Sequence, residues 1–130
     1  MTGIKVTLEY EINASKKMLY PYLSTASGLA QWYADDVSID EDKRFHFTWD
    51  GEAHEAKMVA HRTNHYVKFE FINDLVDEEE PSSLEMRIEE NELTQSVFIR
   101  ITDYSDMEDE EEVRELWDNL ILDLKEIVGG

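Results

Sequence analysis

Two neighbouring aspartates follow a pair of aromatic residues in the first third of the chain. Trp32 and Tyr33 precede Asp35 and Asp36, with only Ala34 between them. Paired carboxylates can act as general acid and general base when burial separates their pKa values. Adjacent residues on an extended strand point to opposite faces, however, so the two carboxylates do not enter one pocket. We therefore expect these aspartates to cap a helix end or to lie in a solvated turn.

The four histidines form no recognisable metal-binding or catalytic motif. The segment that begins at His54 is not HExxH, because its fifth residue is Met58, and the acidic loops lack the calcium-binding pattern. His46 and His61 alternate with apolar residues that we expect to face inward, which places both on the outside. The sequence also contains no Ser-His-Asp motif, phosphate-binding glycine loop or dinucleotide fingerprint. It therefore predicts no catalytic residue, no cofactor and no metal ion.

Most of the chain has the two-residue periodicity of strands with one buried face. The first such segment runs from Lys5 to Ile12, and about six more follow after Val37. Asp50-Gly51 is a strong signal for a hairpin turn. The acidic run that ends at Pro81 predicts a solvated loop between two strands. The pattern as a whole predicts an antiparallel sheet of six to seven strands.

Helical periodicity is found only after the first strand and at the end of the chain. Two short helices are predicted first, with Ser15 and Ser27 as N-caps, and Pro21 predicts a distortion or break in the first of them. A long amphipathic helix is predicted from about Glu108 to Val128, preceded by a capping box that begins at Ser105. The elements predict an α+β fold in which this helix packs on a curved sheet.

Composition limits the kinds of partner that the chain can bind. It has 130 residues, 31 acidic and 12 basic, for a formal net charge of −19, and it contains no cysteine. Such a charge repels nucleic-acid phosphates and anionic membranes, so we expect neither as a partner. The length fits one domain, residues 1–130. The N-terminus lacks the apolar segment of a signal peptide and no apolar run is long enough to span a bilayer, so we expect a cytoplasmic protein.

Several short motifs resemble those of a known superfamily. They are Ser24-Thr25 followed by Gly28-Leu29, the run Trp32–Val37, Phe47-x-Trp49 with Gly51 and Ala56, and Leu116-Trp117. With the order of elements, they resemble the START/Bet v 1-like (SRPBCC) superfamily and, within it, the branch of the Hsp90 ATPase activator Aha1 and small bacterial START-like proteins. The resemblance implies a helix-grip fold. The glycine-rich loop of the plant ligand-binding relatives is absent from the sequence.

The helix-grip fold implies a space between the sheet and the final helix, which large apolar side chains are expected to face. Aromatic and methionine side chains suit hydrophobic ligands, although such bulky groups also fill a core completely. The candidate cavity residues are Trp32, Tyr33, Phe45, Phe47, Trp49, Met58, Phe69, Phe71, Met86, Trp117 and Ile121.

Three functions remain open at this point. The first is a non-enzymatic domain that binds a small hydrophobic molecule in this cavity. The second, implied by the Aha1 resemblance, is an interaction module whose acidic surface contacts a protein partner or a second copy of the chain. The third is an enzyme of the cyclase or hydrolase type found elsewhere in the superfamily.

Overall fold

The computed structural model describes residues 4–72, 82–105 and 109–129. The elements in chain order are β1 (Ile4–Ile12), α1 (Lys16–Ser24), α2 (Ala26–Leu29), β2 (Asp36–Ile39), β3 (Arg44–Trp49), β4 (Glu52–Arg62), β5 (Tyr66–Ile72), β6 (Ser83–Glu90), β7 (Val97–Ser105) and α3 (Glu110–Val128). The seven strands form one curved antiparallel sheet of order β1-β7-β6-β5-β4-β3-β2. This arrangement confirms the α+β helix-grip prediction. The acidic run before Pro81 lies outside the described residues.

Tight turns set the register of the central strands. Asp50 and Gly51 both adopt positive φ, 51° and 78°, which matches the right-handed twist of the two strands that they join. Asn64, with φ of 64°, makes the corresponding turn between β4 and β5. A register shift between Met58 and Ala60 in β4 adds a local irregularity beside β5. The predicted turn at Asp50-Gly51 is therefore confirmed.

The short helices differ from the sequence expectation in two details. Ser15 caps α1 as predicted, since its Oγ accepts the Met18 N–H at 3.1 Å. The α-helix continues through Pro21 without the expected break. Thr25, not Ser27, caps α2, because its Oγ1 accepts the Gly28 N–H at 3.0 Å while Ser27 already lies inside the helix. Both caps therefore fix the entry into a helix.

The long helix α3 begins slightly later than its sequence pattern suggests. Asp109 is the N-cap, and its carboxylate accepts the Glu111 N–H at 2.9 Å. The predicted capping box does not form the start of the helix, since Ser105 is the last residue of β7 and Glu108 lies outside the described residues. Gly129 ends the helix in the left-handed conformation at φ 97°. No described helix is both long and apolar enough to cross a membrane.

The core lies between the inner face of the sheet and the helices. Val113, Trp117, Ile121, Leu124 and Val128 form the buried side of α3. They belong to one cluster with the inward residues of the strands, and no polar side chain among the described residues falls in the fully buried class. This core holds α3 against the sheet. It also includes Trp32 and Tyr33 of the segment between α2 and β2, where a cavity opens.

Candidate ligand cavity

A partly enclosed cavity of about 770 Å³ lies where the α2–β2 connection, the strand ends and α3 meet. This volume falls in the range of about 300–1,000 Å³ that is usual for small-molecule sites. The lining residues are Ala30, Gln31, Trp32, Tyr33, Ala34, Asp35, Trp49, His54, Phe71, Ser82, Ser83, Asp103, Tyr104, Leu116, Trp117, Leu120 and Asp123.

Each of the three tryptophans in the lining has its indole N–H bound within the protein. Trp32 Nε1 donates to the Tyr22 carbonyl at 2.8 Å, and Trp49 Nε1 donates to the Tyr33 carbonyl at 2.9 Å. Trp117 Nε1 donates to Asp103 Oδ2 at 2.8 Å. The hydrogen bonds lock the orientation of the rings. The polar atoms of the indoles are therefore already engaged, and Trp49 keeps part of its ring surface exposed while Trp32 and Trp117 are buried.

Tyr33 sits at the centre of this aromatic wall. Its ring stacks on Trp117 at 5.8 Å between centroids and meets the edge of Trp49 at 5.3 Å, with an interplanar angle of 85°. Burial raises the pKa of the Tyr33 hydroxyl, and the negative charge of Asp103 raises it further. Within the described residues, no hydrogen bond is recorded for this hydroxyl. A buried hydroxyl without a partner is unfavourable for folding, and this one belongs to a residue that borders the cavity.

Asp103 is the most unusual polar group of the cavity. Burial raises the pKa of its carboxyl group, and the hydrogen bond from Trp117 only partly opposes this shift. In the part of the chain that the structure describes, the Trp117 indole is the only hydrogen-bond donor to this carboxylate. The ionised form therefore lies in a poorly solvated place without a cationic partner.

The structure divides the eleven candidate cavity residues proposed from the sequence into two groups. Five border the cavity: Trp32, Tyr33, Trp49, Phe71 and Trp117. Six do not border it: Phe45, Phe47, Phe69, Met86 and Ile121 are buried in the core, and Met58 is partly buried against it. The role of all eleven in binding stays a prediction. The six residues outside the lining fill or pack against the core, as the bulk of their side chains allows.

Several cavity residues were not proposed from the sequence. The most informative is Asp103, which follows Val97, Ile99 and Ile101 at two-residue spacing on the same face of β7. The sequence could have indicated Asp103 as a site residue, because it is an acidic residue on a face of the strand that is otherwise buried. Leu116, Leu120 and Asp123 lie on one flank of α3 and follow its helical spacing. Their place at the cavity depends on how the helix is rotated against the sheet.

The neighbouring aspartates have separate positions, as expected. Asp35 lies at the rim of the cavity, and its Oδ2 accepts the Asp50 N–H at 2.9 Å, which ties the α2–β2 connection to the β3–β4 turn. Asp36 begins β2 and is exposed. Neither therefore forms a carboxylate pair with the other inside the cavity.

His46 lies outside the cavity in a polar cluster. Its Nε2 is 2.8 Å from Asp40 Oδ2 and 3.8 Å from Glu55 Oε1, and Arg44 also contacts Glu55 at 3.3 Å. The hydrogen bond from His46 holds the pKa of Asp40 below its usual value. The three ligand-type side chains, Asp40, His46 and Glu55, are close enough to hold a metal ion. The hydrogen bond and the ion pairs among these side chains explain why they lie together, so their proximity alone does not indicate a metal site.

Comparison with known proteins gives consistent results for the fold. No curated protein matches the sequence significantly. An Aha1 dimer from Colwellia psychrerythraea, solved in solution, is 20% identical, with 96% of each chain covered and a TM-score of 0.77. A Bacillus halodurans protein is 18% identical, covers 98% of this chain and 99% of its own, and has a TM-score of 0.74. At such identities the likeness concerns the fold alone.

Two further matches concern the family. A Bacteroides fragilis protein, solved by NMR, is 33% identical over 98% of this chain and 92% of its own, with a TM-score of 0.64. A family model for the START-like superfamily domain matches residues 1–130. It covers the sheet, both short helices and α3, and thus every element that borders the cavity. The chain belongs to the START-like superfamily.

Proposed function

We propose that this domain binds a small hydrophobic molecule in the cavity between the sheet and α3, without catalysing a reaction. The observation that carries the proposal is the cavity itself, about 770 Å³ in volume and walled by the rings of Trp32, Tyr33, Trp49, Phe71 and Trp117. Fixed aromatic surfaces bind an apolar molecule without first losing side-chain freedom. START-like domains are commonly ligand-binding or interaction modules, and this geometry supports the first of these uses.

Native mass spectrometry of protein purified from its own host tests the proposal. We expect an adduct with the mass of a small molecule on the wild-type chain. Leu116→Arg places a guanidinium group at the apolar wall and is expected to abolish the adduct. Leu122→Arg is the matched control, since Leu122 is 58% exposed on the same helix and does not line the cavity. Absence of any adduct, or equal loss in both variants, would contradict a ligand in this cavity.

Asp103 supports an enzyme as a second candidate function. Burial raises the pKa of the Asp103 carboxyl group, and a carboxyl group with a perturbed pKa in a cavity is a candidate for proton transfer. The released host compound, incubated with fresh protein, distinguishes the two functions. Binding alone leaves the mass of the compound unchanged. Conversion that is lost in Asp103→Asn would assign Asp103 as a general acid or base.

Interaction with another protein is a separate proposal, and it uses the surface rather than the cavity. The net charge of −19 favours a basic partner, and the fold is shared with a protein whose solved form is a dimer. An electrostatic contact should weaken steeply between 0.05 and about 0.5 M salt, because exposed charges are screened. Sedimentation of the purified chain tests self-association, and salt-independent capture of a partner would argue against the acidic surface.

A further inference from the structure

The charged groups that line the cavity have nearly one sign. Among the described residues of the lining, Asp35, Asp103 and Asp123 contribute three carboxylates, and none is a lysine or an arginine. Within the described part of the lining, His54 is the only basic side-chain type, and it is exposed beside the ring of Trp49, with 5.4 Å between the ring centroids. A concave site with low-dielectric walls and one sign of charge concentrates ions of the opposite sign. The net charge of −19 adds to this field.

Of the three carboxylates, Asp103 is the one that a bound cation would stabilise most. Asp35 accepts a backbone N–H from Asp50, and Asp123 is exposed to water. Asp103 is partly buried, and Oδ2 receives the Trp117 indole N–H. Within the described residues it has no ion-pair partner. A buried carboxylate is stabilised by a cation that reaches it, because the cation replaces lost hydration.

The aromatic wall beside Asp103 suits the same ligand. Trp117 donates its N–H directly to the carboxylate, and the Tyr33 ring stacks on Trp117. Trp117 and Tyr33 are themselves buried, whereas Trp49 and Phe71 are partly exposed in the lining, and the faces of such rings attract ammonium groups within about 6 Å. The Tyr33 hydroxyl has no hydrogen-bond partner among the described residues. It adds an oxygen acceptor near Asp103. Carboxylate, hydroxyl oxygen and ring faces all favour a positive group at this place.

We propose that the cavity selects an amphipathic cation, with an apolar body against the aromatic wall and an ammonium-type group paired with Asp103. This inference rests on the proposed ligand-binding function and makes it more specific. A neutral apolar molecule would leave Asp103 without an ion-pair partner among the described residues. An anionic amphiphile, such as a fatty acid, would meet three carboxylates and neither lysine nor arginine among the lining residues that the structure describes.

Three probes with one aromatic body test the charge preference by isothermal titration calorimetry at pH 7 and 0.15 M salt. They are (2-naphthylmethyl)trimethylammonium, 2-naphthylmethanol and 2-naphthalenesulfonate. We expect the cation to bind roughly tenfold more tightly than the neutral alcohol, from cation–π contact and ion pairing. The sulfonate should bind least. Equal affinities for the cation and the alcohol would overturn the inference and leave ligand binding intact.

Variants that each remove one charge show which residue causes the preference for the cation. Asp103→Asn keeps an oxygen acceptor for the Trp117 N–H and should reduce affinity for the cation roughly tenfold, with little effect on the alcohol. Glu115→Gln is the matched control, since it removes one charge from α3 at an exposed position outside the cavity lining. Equal losses in the two variants would assign the preference to the overall charge and overturn a role for Asp103.

If the cavity binds no ligand at all, the same experiments give a different result. If none of the three probes binds and the host-purified chain carries no adduct, ligand binding itself fails, and the inference fails with it. If Asp103→Asn does not fold, Leu116→Arg and Leu122→Arg replace it, since both positions are exposed. Only Leu116→Arg should then weaken binding of the cation, because its guanidinium group would occupy the place beside the carboxylates. Equal effects of the two arginine variants would overturn the inference.

Discussion

Asp103 shows how a single cavity residue can oppose folding. Its carboxyl group hydrogen-bonds to a buried indole, yet burial raises its pKa. A carboxyl group whose pKa is higher in the folded state binds a proton more readily there than in the unfolded chain. Its ionised form therefore opposes folding. Polar groups that are unfavourable for folding are often found at functional positions.

Removing this charge should stabilise the protein at neutral pH. At pH 7 Asp103 is ionised in the unfolded chain, and the folded state bears the penalty of a buried charge, so Asp103→Asn should have a larger free energy of unfolding than wild type. The gain should shrink as the pH falls toward the ordinary value of 3.8, because the folded protein then binds the proton. Urea denaturation across this pH range measures the difference.

The exposed substitution Glu115→Gln serves as the control for this experiment and should show no comparable gain at pH 7. A less stable Asp103→Asn variant would contradict the prediction. It would mean that the hydrogen bond between the Trp117 indole and a charged acceptor outweighs the effect of burial.

Residue patterns alone predicted which face of a strand each side chain occupies, but not how deeply the side chain is buried. Phe47 and Trp49 share one face of β3, yet Phe47 is wholly buried while Trp49 borders the cavity. Two-residue periodicity gives only the face. Whether an inward residue meets a neighbour or an open space depends on the position of α3 and the α2–β2 connection, which periodicity does not determine.

At the scale of elements, local signals predicted the fold well. Alternation predicted the strands, the turn at Asp50-Gly51 fixed a hairpin, and apolar spacing predicted α3. Helix starts were predicted less well, because Thr25 and Ser27 are both good capping residues and only the path of the chain decides between them. The capping box predicted at Ser105 does not start the helix, because β7 extends through that residue and pairs there with β1.

The contact between α1 and α2 depends on a glycine. A Cβ atom on Gly28 would overlap the Pro21 carbonyl oxygen and lie 2.7 Å from Tyr22 Cα. These are backbone atoms of the preceding helix, so a rotamer change cannot relieve the collision. Close packing of α2 on α1 therefore requires the absence of a side chain. It also helps to hold the segment that carries Trp32, whose indole bonds to the Tyr22 carbonyl.

Gly28→Ala should destabilise the protein by about 3 kcal/mol, because the helices must separate. The comparison is Gly51→Ala, where φ is 78° but a Cβ atom would have no neighbour within 4 Å. The loss there should be about 1 kcal/mol, from backbone strain alone. Thermal and urea denaturation measure both. Equal losses would show that the contact between α1 and α2 tolerates a methyl group.

At the scale of the whole molecule, acidic residues outnumber basic ones by 31 to 12. Some basic residues form ion pairs on the outer surface, such as Arg100 with Glu9 and Glu89. Exposed pairs of this kind contribute little to stability. Most carboxylates cannot be matched by a cation, so repulsion among them opposes the compact state. The same excess produces the field that favours a cationic ligand.

Salt should therefore stabilise the fold. The urea midpoint should rise when sodium chloride increases from about 0.01 to about 0.3 M, because the screening length falls from about 30 Å to below 10 Å and weakens the repulsion. Binding of the naphthyl cation should weaken over the same range, so the two effects of salt have opposite signs. The double variant Glu115→Lys, Glu126→Lys changes the net charge from −19 to −15 and should reduce the rise in midpoint. A midpoint that falls with salt would show instead that ion pairs such as Arg100 with Glu9 and Glu89 outweigh the repulsion.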